Sequence, residues 1–113
     1  MKTLIKSTGL LILLLTFFSL SGIAQTAEIK IKTSAQCGEC KERIEKGLAF
    51  EKGIKYSALD LKDQVITIVY YDKRTNPEKI REVISNMGYD ADDVPAKTGA
   101  YEKLPNCCKK GGH

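Results

Sequence analysis

Along residues 28–94 the hydrophobic period switches back and forth between that of a strand and that of a helix, and the order of the switches limits the fold more than any other feature. Ile29 and Ile31 alternate with Lys30 and Lys32, as in a half-buried strand. Cys40, Ile44, Gly47 and Leu48 then fall at i, i+4, i+7 and i+8, one apolar face of a helix that ends before Gly53. Ile54 to Leu61 returns to period two through Ser57, Leu59 and Leu61. Lys62-Asp63-Gln64 is a short polar turn, and Val65 to Tyr71 sets Ile66, Ile68 and Tyr70 on one face, so these two runs form a hairpin. Asn76-Pro77 offers an N-cap and a first-turn proline to a second helix, whose stripe is Ile80, Val83, Ile84 and Met87, with Met87 a core residue. Gly88 stands where a left-handed residue ends such a helix, and a short last strand fits Tyr89 to Val94, stopped by Pro95. The order is β-α-β-β-α-β. It predicts an α+β, ferredoxin-like sandwich, a four-stranded antiparallel sheet with both helices on one face.

The ends of the chain lie outside that pattern. Lys2 and Lys6 precede an apolar run from Gly9 to Leu20, and Ser21-Gly22-Ile23-Ala24 is a small-residue exit. This is the layout of a signal peptide over residues 1–24, cut before Gln25, and the run is shorter than the roughly 20 residues that comfortably span a bilayer. The expectation is a periplasmic or secreted protein with no stable membrane insertion after cleavage, its domain at 25–95 and a tail at 96–113. The net charge is +4, two of it from Lys2 and Lys6, which is too little to argue for nucleic acid. Lys41/Glu45 and Glu42/Lys46 sit at i, i+4 and read as a self-paired, solvated helix face.

The chemistry lies in Cys37-Gly38-Glu39-Cys40, where the first strand gives way to the first helix. Unpaired N–H groups and the positive end of the helix dipole lower the pKa of thiols there, so both sulfurs should ionise readily. Such a pair either holds a soft metal or exchanges a disulfide. An exported protein sits where disulfides persist, but Cys37/Cys40 and Cys107/Cys108 are each local pairs, and a bridge closing so short a loop would add little stability.

A Cys-x-x-Cys loop in this position resembles the heavy-metal-associated domain family, which includes copper chaperones, small domains of metal-exporting ATPases and a periplasmic mercury-binding protein. The resemblance covers about Glu28 to Val94 and takes in Ile44, Leu48, Gly53-Ile54, Tyr70 and Gly88-Tyr89-Asp90-Ala91 besides the two cysteines. It implies that Cys37 and Cys40 are the metal ligands and that Tyr89 lies on a loop near the metal. Where the family has Gly-Met before the first cysteine, this chain has Ser34-Ala35, so the buried methionine that supports the loop is missing.

Thiolates favour soft ions, and a pair of them suits Cu(I) first and Hg(II) next, whereas Zn(II) would need further ligands. The expected function is that of a monomeric carrier, not an enzyme, which passes its ion by ligand exchange to a metal-transporting membrane protein or another metal-binding protein. The alternative is a thiol-disulfide oxidoreductase, and a third reading has the cysteines as structural bridges only. Against the oxidoreductase stand the short chain, the lack of tryptophan and the lack of a proline suited to a substrate-binding cis turn. The tail has turn residues but no period. With the last strand running away from the loop, Pro95 should lie at the far end of the sheet, and the stretch to Asn106 could span roughly 40 Å if extended. Cys107 and Cys108 could therefore return to the loop as auxiliary ligands, with His113 a further candidate.

Overall fold

The computed structural model describes residues 25–111. The leader expected over residues 1–24, and His113, lie outside the described residues. Three strands, β1 (Thr26–Lys32), β2 (Ile54–Asp60) and β3 (Val65–Tyr71), form an antiparallel sheet in the order β1-β3-β2. The register opposes Ile29 to Ile68 and Ile31 to Ile66 on one side of β3, and Ser57 to Ile68 and Leu59 to Ile66 on the other. Side chains two residues apart share a face, so this register collects the expected apolar positions on the core side. Ser57 is half-buried there.

Helix α1 (Gly38–Ala49) buries Cys40, Ile44 and Leu48, and α2 (Pro77–Asn86) buries Ile80 and Ile84, all in one contiguous core with Ile31, Leu59, Ile66, Ile68 and Tyr70. Asn76 caps α2 by accepting the Lys79 N–H at 2.9 Å, with Pro77 in the first turn as expected. Met87 packs over Gly47, where an added Cβ would lie 2.5 Å from its methyl carbon. Gly53 opens β2 at φ +85°, a left-handed position closed to most side chains. No helix among the described residues is long and apolar enough to cross a membrane.

The fourth strand expected at Tyr89–Val94 does not form. Ala91 and Val94 exchange backbone hydrogen bonds of 2.9 Å in both directions, closing a tight turn over Asp92 and Asp93, with Asp92 at φ +53°. Asp and Asn tolerate that conformation better than most residues, and Pro95, with no N–H, cannot extend a ladder. What remains of the strand is a single bridge from Ala91 to Thr33. The free edge at Lys32 is instead met by Asp92, whose N–H donates to the Lys32 carbonyl (2.8 Å) while its carboxylate accepts the Lys32 N–H (2.9 Å).

That turn also reverses the expected position of Pro95. The chain doubles back, and Pro95 stays beside the end of α2, where its carbonyl accepts the Ser85 hydroxyl at 2.7 Å and the Lys97 N–H reaches the Ser85 carbonyl at 3.0 Å. The tail then forms a short helix α3 (Thr98–Glu102) and a 3-10 turn (Asn106–Cys108). Its Leu104 and Cys108 are part of the core. Gly88, at φ +106°, lets α3 approach, since a Cβ there would stand 2.9 Å from the Ala100 carbonyl oxygen.

Candidate metal centre

Cys37 is the N-cap of α1, in extended conformation, and its carbonyl accepts the Lys41 N–H at 3.1 Å. Its side chain caps nothing, which leaves the sulfur free to face its neighbours. The first helical turn carries Cys40 back beneath it, with the two sulfurs 3.1 Å apart. Cys40 is fully buried on the core stripe with Ile44 and Leu48, while Cys37 is half-exposed.

The tail brings the other pair to the same place. Cys107 Sγ lies 3.3 Å from Cys37 Sγ, Cys108 Sγ lies 3.7 Å from it, and the tail sulfurs are 3.9 Å from each other. All four cysteines are free, and the sulfurs of Cys37, Cys40 and Cys108 lie within 4.8 Å of one another. The tail is fixed in this position by several contacts. Gln36 Nε2 donates to the Lys109 carbonyl (2.8 Å), the Lys110 ammonium meets Asp90 (2.7 Å), and the Lys110 N–H donates to the Tyr101 hydroxyl (2.9 Å).

The electrostatics set the sulfurs apart. Burial works against ionisation of Cys37, but hydrogen bonds from the Cys40 thiol and backbone N–H, and from the Cys107 and Cys108 thiols, outweigh it and hold Cys37 at about 7. Cys107 is pushed up to about 11 by Cys37 and by Glu39, whose carboxylate accepts its thiol at 3.3 Å. Burial, followed by the Cys40 sulfur, raises Cys108 well above the usual thiol range. Tyr89 is fully buried beside Cys108 and Cys40, and burial drives its phenol far above its ordinary value. Its hydroxyl has no hydrogen-bond partner among the described residues.

The structure thus gathers Cys37, Cys40, Cys107, Cys108 and Tyr89 at one end of the sheet. Sequence reasoning missed the residues that hold the loop. Gln64, in the β2–β3 turn at φ +63°, donates its side-chain N–H to the Ala35 carbonyl (2.8 Å), and its own carbonyl accepts both the Thr33 N–H (2.8 Å) and the Thr33 hydroxyl (2.9 Å). Ser34 Oγ accepts the Asp90 N–H at 2.9 Å. These partners lie far from the loop in sequence, and nothing in the pattern of residues 62–64 or 89–91 marks them as its supports.

Comparison with known proteins bears on the same region. The heavy-metal-associated domain family is matched over residues 24–90, which takes in the Cys37/Cys40 loop and stops short of the tail. A copper-exporting P-type ATPase of Staphylococcus epidermidis is 38% identical over 56 residues, 50% of this chain and 7% of that protein. The chain therefore spans only a small part of the length of the curated relatives it matches. Among solved structures, the water-soluble region of the P-type ATPase CopA from Bacillus subtilis superposes with a TM-score of 0.58 at 28% identity, covering 62% of this chain and 47% of that one. A CopZ metallochaperone gives 0.55 at 21% identity, covering 57% of this chain and 98% of its own, a likeness of fold alone. With more than half of its length matched, and with the cysteine loop at the expected junction of strand and helix, the chain belongs to the heavy-metal-associated domain family.

Proposed function

We propose that this protein binds a soft metal ion, Cu(I) before Hg(II) or Zn(II), through the Cys37 and Cys40 thiolates and passes it on by ligand exchange. The observation that carries this reading is the pair of free sulfurs 3.1 Å apart at the start of α1, one half-exposed and held near neutrality, the other buried. Thiolates at such a site bind soft ions in preference to hard ones. An exposed edge lets an incoming thiol add before an outgoing one leaves, so the ion need never be free. The copper-exporting P-type ATPases among the relatives support copper as the cargo. The leader-like segment of residues 1–24 supports action in the periplasm or outside the cell, and the acceptor would be a metal-transporting membrane protein or another metal-binding protein.

The oxidoreductase alternative rests on the same lowered Cys37 thiol, so binding must be tested directly. Reduced protein is titrated with Cu(I) under nitrogen and followed by thiolate-to-metal absorbance. One tightly bound ion is expected, lost in the Cys37→Ser, Cys40→Ser double variant with the circular dichroism spectrum retained. Tight binding by that double variant would place the primary site elsewhere. Absence of binding by the wild type, together with rapid turnover of a disulfide substrate, would favour the oxidoreductase.

A further inference from the structure

Cys107 and Cys108 are neighbours in sequence and differ in position. Cys108 is 2% exposed, and its sulfur closes a triangle with those of Cys37 and Cys40. Cys107 is half-exposed at the rim, in contact with Cys37 and with the exposed Glu39. Cys37 is the sulfur the two arrangements share.

The spacings bear on coordination number. With metal–sulfur bonds of about 2.3 Å, two sulfurs across a linear ion stand about 4.6 Å apart, and three around a trigonal ion about 4.0 Å. The Cys37–Cys40 and Cys37–Cys108 separations of 3.1 and 3.7 Å are both well short of the linear value, as in a shell of more than two sulfurs. Cys108 is the tail sulfur grouped with Cys37 and Cys40 within 4.8 Å. A second observation points the same way. The buried Tyr89 hydroxyl stands beside the Cys40 and Cys108 sulfurs but meets no group among the described residues in hydrogen-bond geometry, and thiolates drawn there by an ion would give it a strong acceptor.

We infer, resting on the soft-ion reading above, that the tail cysteines divide the work: Cys108 is a resident third ligand of a trigonal Cys37/Cys40/Cys108 site, and Cys107 is the exchange ligand at its mouth. In the transfer, the Cys107 sulfur adds to the ion as a buried sulfur departs, and the Cys107 proton goes to the departing sulfur. A thiol of the acceptor then adds in the same way, and its proton goes to the next sulfur to leave. Each step makes one metal–sulfur bond and breaks one, and Cu(I) keeps its oxidation state throughout. The family match ends at residue 90, so both residues lie outside the matched part of the chain.

The test uses the full chain, reduced and loaded with one equivalent of Cu(I). X-ray absorption counts the sulfurs, competition with a chromophoric Cu(I) chelator gives affinity, and time-resolved native mass spectrometry follows transfer to glutathione. Wild type should show three sulfurs. Cys108→Ser, and Cys108→Ala should the hydroxyl disturb folding, should bind at least tenfold more weakly whether or not Cys107 moves in as a third sulfur, and unchanged affinity would overturn the role of Cys108. Cys107→Ser should slow transfer at least tenfold, beyond any change in affinity. Two sulfurs in the wild type, with Cys37 and Cys40 both required, would leave the loop reading standing and overturn this one. Transfer by Cys107→Ser as fast as wild type, or faster, would overturn the role of Cys107.

Discussion

Replacing Tyr89 with Phe should move the stability of the metal-free protein and its affinity for Cu(I) in opposite directions. Tyr89 is fully buried, and its hydroxyl has no partner among the described residues. An unsatisfied buried hydroxyl costs about 1–3 kcal/mol, and Phe keeps the ring while removing the group, so the reduced metal-free variant should gain about 1 kcal/mol. Once an ion turns the neighbouring sulfurs into thiolates, the hydroxyl gains an anionic acceptor, a bond of about 1.5–3 kcal/mol that Phe cannot make. The two effects act in the same sense on binding, and their sum of about 2.5–4 kcal/mol weakens Cu(I) binding by roughly seventyfold or more. Urea denaturation of the reduced metal-free protein gives the first quantity and chelator competition gives the second. A metal-free Tyr89→Phe protein 1 kcal/mol less stable than wild type would mean that the hydroxyl already has a partner. Unchanged affinity would mean that it never meets a thiolate.

Alkylation of metal-free protein, mapped by peptide mass, should show Cys37 reacting with a midpoint near pH 7, because neighbouring donors hold its thiol at about 7; a midpoint near that of an unperturbed thiol would contradict this. Lys110, with the Ala96 N–H assisting, holds the Asp90 carboxyl below its usual value, so its contribution is present above about pH 4 and lost as pH falls through the lower folded value. Asp90→Asn should therefore destabilise the protein at pH 7 and progressively less as pH falls below about 4, and a cost that stays constant down to acid unfolding in urea titrations would refute the pairing. Leu104→Ala removes a tail side chain that is 5% exposed in the core and should cost about 2–4 kcal/mol in the same assay, whereas a loss under 0.5 kcal/mol would mean that the tail is not docked. The intact mass of exported protein should begin at Gln25, and a full-length mass in the membrane fraction would exclude cleavage.

The readable parts of the sequence were those whose cause is local. Ile44 and Leu48, or Ile80 and Ile84, announce a buried helix face because the helical period itself places them together, and Asn76-Pro77 marks a helix start through its own cap. Cys37 and Cys40 could be assigned to one site because three residues at a helix start bring their sulfurs together. The missing strand had a local sign that the apolar residues masked: Asp92-Asp93 between Ala91 and Val94 is turn chemistry. For the tail, the cysteine pair pointed back to the loop, but the packing that holds it there gave no such sign. A helix of five residues is too short to display a period, and Leu104 is one apolar residue among polar ones. Its burial depends on Gly88 and the end of α2, set by the rest of the fold.

The loop's support shows how these long-range terms bear on function. Ala35 is fully buried where the family resemblance calls for methionine, and it fills far less space. The core at this end takes in Leu104 and Cys108 from the tail, and the loop backbone is tied by hydrogen bonds to separate segments. Ala35 is held by Gln64, Ser34 by Asp90, and Gln36 by Lys109. Two of those three ties depend on the chain beyond α2, and Asp90 in turn holds Lys110. The segment after Pro95 is thus packed as part of the same core as the loop it covers. Undocking it would withdraw two sulfurs and loosen the backbone that positions the other two, so occupancy of the site and docking of the tail should stabilise each other.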